Sequence, residues 1–151
     1  MEKRKLAFDS FDQVIDEIER LRSRGYTPQG QWNLSQVCEH LTRTMRAGMD
    51  GGLKLMPWIL RATILRFMAN RIINSGNMPS GFTAPSESVP PDHKEDDPAK
   101  IDKCIATLRE TAAFAGPLPP HPFSTGMTLE KWKRLMQVHA AHHLGFLQPA
   151  Q

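Results

Sequence analysis

Val138-His139-Ala140-Ala141-His142-His143-Leu144 is the stretch on which the reading of the whole chain turns. Upstream of it, Leu129, Trp132, Leu135 and Met136 recur at the three- and four-residue intervals of an amphipathic helix. At about 100° per residue, Trp132, Leu135, Met136 and Phe146 define a buried stripe, and His139 and His143 fall near its centre. His142 falls at the edge of that stripe, while Glu130, Lys133, Arg134 and Gln137 take the opposite, wet face. Two imidazoles four residues apart on one face, with about 5–6 Å between their Cβ atoms, can share one metal ion. The competing reading is structural, since a single His on an apolar face is usually a satisfied core residue. Two in register cost more, because each buried ring needs partners for both nitrogens. The pair alone leaves both readings open.

Composition narrows the class. With 151 residues, of which 40% are hydrophobic and 23% charged, residues 1–151 are expected to form one soluble domain with a real core. The net charge of +3 comes from basic residues scattered among acids, with no dense basic stripe, so nucleic acid is not an expected partner. Cys38 and Cys104 show neither metal-site nor redox spacing and read as small buried hydrophobes. The opening Met1-Glu2-Lys3-Arg4-Lys5 lacks the apolar core of a signal peptide, and a cytoplasmic location is the default expectation.

Four amphipathic helices punctuate the chain. Ser10 with Gln13 makes a capping-box pattern ahead of Phe11, Val14, Ile15, Ile18 and Leu21, opposed by Asp16, Glu17 and Arg20, and Gly25 ends that helix. Asn33 with Gln36 starts the second, with Trp32 placed to staple onto Val37 and a stripe of Leu34, Val37, Cys38, Leu41 and Met45. Gly48, Gly51 and Gly52 are expected to close it. His40 lies at the margin of its stripe, about 100° from the centre. Asp97-Pro98 opens the helix carrying Ile101, Cys104, Ile105 and Leu108, which Gly116-Pro117 should stop, and Thr128 caps the last helix.

Between the second and third of these lies a further apolar segment, residues 55–73, with Pro57 placed to start a helix. It is too short and too charged to span a bilayer, so a contact with the domain or with a second subunit is expected, ahead of a membrane-surface role. Residues 74–97 form a long Pro-, Gly- and Ser-rich connection ending in a charge run, in which His93 should be solvated. His121 precedes the last helix, and His139 lies about 15 Å along that helix, so His121 is not expected at the same ion unless its loop folds back. No strand signal stands out. The unusually long connection would let the second and third principal helices run parallel through a crossover.

Three features together resemble a known family: Trp32-Asn33-Leu34-Ser35-Gln36-Val37-Cys38-Glu39-His40-Leu41, then His121-Pro122-Phe123, then Trp132 with His139-Ala140-Ala141-His142-His143-Leu144. Asn77-Met78-Pro79-Ser80-Gly81-Phe82-Thr83-Ala84-Pro85 adds to the likeness. The chain resembles, from about Leu6 to Phe146, the DinB-like (YfiT-like) superfamily of metal-binding four-helix bundles, in a subgroup of uncharacterised bacterial proteins. The resemblance implies an all-α fold: an up-down-down-up four-helix bundle with an extra helix and a long crossover between helices two and three. It implies a divalent metal ion held by His40, His139 and His143, with zinc or nickel foremost and iron or manganese as further candidates. It also implies a homodimer.

Three histidines without a carboxylate leave coordination positions open, the catalytic rather than the closed structural pattern. Such an ion would lower the pKa of a bound water or thiol. Studied relatives include thiol transferases and a thiol-dependent isomerase. The resemblance therefore points to a small-molecule substrate and to transfer of a low-molecular-weight thiol onto an electrophile, with metal-assisted hydrolysis as the alternative. The non-enzymatic alternative is a helical module that binds metal or a partner through its apolar middle helix. No general acid or base is identified; Glu39 should point away from the site, and Arg43 and Asp12 are the other polar groups considered.

Overall fold

The computed structural model describes residues 2–80, 86–92 and 94–151; the expectations for His93 and for residues 81–85 lie outside the described residues. The protein is mostly helical: α1 Phe11–Arg24, α2 Leu34–Asp50, α3 Trp58–Ala62, α4 Ile64–Ser75, α5 Pro98–Ala113 and α6 Leu129–Leu144. A 3-10 turn at Ser86–Ser88 sits in the long connection.

The helix starts follow the sequence. Ser10 accepts from the Gln13 backbone N–H at the start of α1, Asn33 and Gln36 cap each other reciprocally at the start of α2, and Thr128 accepts from Lys131 N–H at the start of α6. Asp97 caps α5 ahead of Pro98, and α5 ends at Ala113, ahead of Gly116-Pro117. The apolar faces of α1, α2, α5 and α6 meet in one core around Ile18, Leu21, Leu34, Leu41, Ile101, Leu108 and Leu144. Trp132, 1% exposed, is the largest side chain in it. The two cysteines, 66 positions apart in sequence by their numbering, come together in this core, both free and buried. The Cys38 thiol is pushed well up by its hydrogen bond to Cys104 and by burial.

Several expectations are corrected. Gly48 does not close α2 but lies inside it, where a Cβ would stand 2.5 Å from the Trp132 indole; the missing side chain lets α2 and α6 approach. Gly51 is the actual cap, with φ +77°. Glu17, assigned to the wet face of α1, is buried, because Arg4 and Arg20 both pair with it. Phe146 lies beyond the end of α6 and is only half-buried. A short antiparallel pair also forms: β1 Tyr26–Pro28 with β2 Leu147–Pro149. Three-residue strands containing proline carry too little alternation to be read in advance.

The apolar segment 55–73 breaks at Thr63 into α3 and α4. Its inner face buries Arg61, Ala69 and Ile73. The outer face leaves Trp58 70% and Phe67 65% exposed, with Ile59 and Ile64 beside them. No helix among the described residues is long and apolar enough to cross a membrane.

Candidate metal centre

His40 comes from the middle of α2, and His139 and His143 come from adjacent turns of α6. The start of α2 is fixed by more than its capping box. Tyr26 Oη accepts from Leu34 N–H at 2.7 Å and donates to Asp96, whose carboxylate in turn accepts from Ser35 N–H at 2.9 Å. With α2 held there and α6 drawn in over Gly48, the three rings converge. His139 Nε2 stands 3.0 Å from His40 Nε2 and 3.0 Å from His143 Nε2. The ligand atoms of the trio all lie within 4.8 Å of one another.

The proton inventory decides how these nitrogens are best satisfied. His40 Nδ1 lies 2.8 Å from the Ser88 carbonyl oxygen, which can only accept, so Nδ1 carries the proton. The neutral His40 ring therefore presents a lone pair at Nε2, toward His139. His139 Nε2 faces two nitrogens at once and has at most one proton to share. A cation at the centre satisfies all three lone pairs. Two nitrogens about 2.05 Å from one ion stand about 2.9 Å apart at a right angle and about 3.3 Å apart at the tetrahedral angle. The observed 3.0 Å edges lie between these values. The residues present thus fit a divalent ion, with the Ser88 carbonyl as the outer partner that orients one ligand.

Electrostatics agree with that donor set. Burial pushes the His139 imidazole well below its ordinary range, helped by its histidine neighbours. His143 moves the same way, from burial and then from His139 and His40, and His40 is lowered by burial despite its bond to Ser88. All three are neutral at pH 7, the state that binds metal. His40 is buried at 2% exposure, while His139 and His143 are half-buried.

The two other described histidines, His121 and His142, are not members of the trio. His121 lends its carbonyl to Arg61 Nε at 3.0 Å and its Nδ1 to Phe123 N–H; burial and the Arg61 guanidinium push its pKa down to about 4. Its loop does not fold back to the trio. His142 takes a hydrogen bond on Nδ1 from Lys3 Nζ at 2.7 Å. Burial and that ammonium push it to about 4. Glu39 points away, to Arg43 and Lys100; burial raises its carboxyl, and these two cations outweigh that and lower it. Asp12 is exposed on α1.

Two contributors escaped the sequence reading. Trp32, read as a staple, stacks on His143 with ring centres 5.4 Å apart and tilts against His40 at 5.0 Å, roofing part of the site. An aromatic immediately before the cap of the ligand-bearing helix was its available signal. Ser88 acts through its backbone and left none. Its segment is strapped along α2, with Arg43 donating to the Glu87 and Val89 carbonyls and Gln36 to that of Pro91.

A mostly helical protein with three convergent histidines and no carboxylate among them is thus defined by fold and site together. A family model matches residues 1–150, and the chain belongs to that family, described as a protein of unknown function (DUF1569). Comparison with curated proteins and with solved structures gave no match.

Proposed function

We propose that the chain is a divalent-metal-dependent enzyme of DinB-like architecture, a single four-helix bundle running up-down-down-up, acting in the cytoplasm on a small electrophilic substrate. The observation that carries this reading is the convergence of three neutral imidazoles, with no protein carboxylate in the set. A divalent ion there would supply a Lewis acid that lowers the pKa of a bound water or thiol near neutral pH. His40, His139 and His143 hold it. Ser88 fixes the tautomer of His40, and Trp32 excludes water from one flank of the site.

Transfer of a low-molecular-weight thiol is the leading reaction: sulfur bonds to the electrophilic carbon, the leaving group departs with its electron pair, and the thiol proton passes to solvent. Protein purified without an affinity resin should carry close to one zinc or nickel per chain by elemental analysis. It should then be screened with several small thiols against a chromogenic aryl halide and, for hydrolysis, an aryl ester. Metal at stoichiometry with thiol turnover supports transfer, and ester turnover alone supports the hydrolase alternative. Absence of metal after reloading with each candidate ion would defeat the proposal.

We also propose a homodimer through the outer face of α3 and α4. Seven of the nine large hydrophobic residues exposed among the described residues lie between Leu55 and Phe67, more than a lone soluble chain ordinarily shows in one place.

A further inference from the structure

A groove of about 560 Å³ lies between the N-terminal segment, the chain that follows α4, and the last turns of α6. Lys3, Arg4 and Lys5 line one side, residues 76–80 another, and Val138, Ala141 and His142 the third. Among the described residues, three cations line it and no Asp or Glu does. Arg4 is neutralised from behind by Glu17 at 2.7 Å. Lys3 is different: among the described residues no carboxylate pairs with it. Its Nζ donates to His142 Nδ1 at 2.7 Å and stands 5.5 Å from the centre of the Phe146 ring. Burial lowers its pKa.

This wall is built, not loose. Arg4 N–H donates to Gly145 O at 2.9 Å, the Arg4 guanidinium to Leu144 O at 3.2 Å, and Gln148 Nε2 to Glu2 O at 3.0 Å. At Gly145 a Cβ would stand 2.6 Å from Arg4 O and 3.1 Å from Lys3 Cγ, so the segment is pressed against the end of α6. Among the described residues, Arg4 Nε is buried there without a partner. The groove also adjoins the histidine cluster through a single ring, since His142 lies 4.9 Å from His143, centre to centre.

We infer that this groove binds an oxyanion, the carboxylate or phosphate of a small molecule, with Lys3 as its principal contact and Lys5 at its rim. A volume of this order suits a small ligand, and three cations in one pocket do not make the long basic track that a polyanion requires. The ligand's role as the anionic end of the substrate rests on the metal-enzyme reading above; the binding itself does not.

Thermal shift and calorimetry with inorganic phosphate and with acetate, chloride compensating for ionic strength, provide the test. At least one of them should bind wild-type protein with a dissociation constant in or below the low-millimolar range, and the stronger of the two identifies the anion class. Lys3→Met should weaken binding at least tenfold, and Lys3→Arg should stay within about threefold of wild type. Lys5→Glu, at an exposed position that cannot disturb the core, should weaken binding severalfold, while Arg109→Glu on the exposed face of α5 should not. Binding by neither anion, equal binding by wild type, Lys3→Met and Lys5→Glu, or equal weakening by Arg109→Glu would overturn the inference. His139→Ala separates it from the metal reading. Anion binding lost in that variant places the anion on the ion and ends the groove proposal alone; anion binding kept in a wild-type protein that takes up no metal ends the metal reading alone.

Discussion

Helices α2 and α6 meet across Gly48 so closely that only a missing side chain permits it, whereas α3 and α4 turn Trp58, Ile59, Ile64 and Phe67 out to solvent. Both regions are rich in apolar residues. In the first, hydrophobic burial is complete, and the unusual feature is polar: three imidazoles placed where apolar side chains would pack. In the second, the unusual feature is apolar surface with no partner among the described residues. Each region departs from the ordinary rule in its own direction, and each departure marks a candidate point of contact with something other than the chain itself.

The largest effect should come from the polar departure. His139→Ala removes the ring that stands 3.0 Å from both of its neighbours, so metal affinity should fall by more than the roughly 10- to 100-fold seen when only an outer partner is lost. Elemental analysis after dialysis reads this directly, and undiminished metal would refute the assignment. His121→Ala, away from the trio, should leave metal content unchanged. The core of Leu34, Leu41, Ile101, Leu108 and Trp132 closes without the ion. A chelator should therefore leave the far-ultraviolet circular dichroism helical; collapse to coil would make the ion structural.

Acid should be the next most severe challenge, and its sign follows from the depressed histidines. His121 and His142 titrate at about 4 in the folded protein, and His40, His139 and His143 are lowered as well, against 6.5 for an ordinary histidine. Between those limits the unfolded chain binds more protons than the folded one. Stability of the metal-free protein is then fully present above pH 6.5 and lost as the pH falls toward 4. The slope is about 1.4 kcal/mol per pH unit for each proton taken up only on unfolding. Urea midpoints measured in chelator at pH 7.5, 6 and 5 should decline in that order. A flat profile would mean that the rings are solvated in the folded state.

How far these regions could be read from sequence depends on the range of the forces involved. His139 and His143 were legible because helical period alone puts them on the stripe of Trp132 and Leu135. His40 was not legible in that way: its angle on the helix marks a margin, and only the resemblance named it a ligand. Trp32 and Ser88 reach the site through contacts with residues distant in sequence, which no local period encodes. Gly48 was misread because a glycine near a helix end serves equally as a stop signal and as a place of close approach. Tertiary packing against Trp132 settles which.

Gly48→Ala sharpens the same point with a smaller change. The added methyl would meet the Trp132 indole at 2.5 Å, and Trp132 is buried with no space to retreat. Overpacking of this kind costs roughly 1–3 kcal/mol, against a gain of up to about 1 kcal/mol from replacing glycine inside a helix. A net loss in denaturant midpoint is expected, with weaker metal binding as α6 shifts away from His40. A more stable variant would show that the two helices have slack between them.

The smallest effect on the folded protomer should come from the apolar departure. Trp58→Asp combined with Phe67→Asp changes two of the most exposed large side chains in the protein, and neither contributes to the core. Each substitution at such a position ordinarily moves stability by no more than about 0.5 kcal/mol. Metal content and melting of the dilute protein should therefore stay close to wild type. What should change is the mass in solution. If the outer face of α3 and α4 pairs with its copy, the double variant halves the mass measured by light scattering, because two carboxylates in an apolar contact cannot be desolvated without partners. Wild-type protein already monomeric at high concentration would break the dimer reading. A variant that unfolds outright would place Trp58 and Phe67 in the folding core, and the contrast between the two regions would disappear.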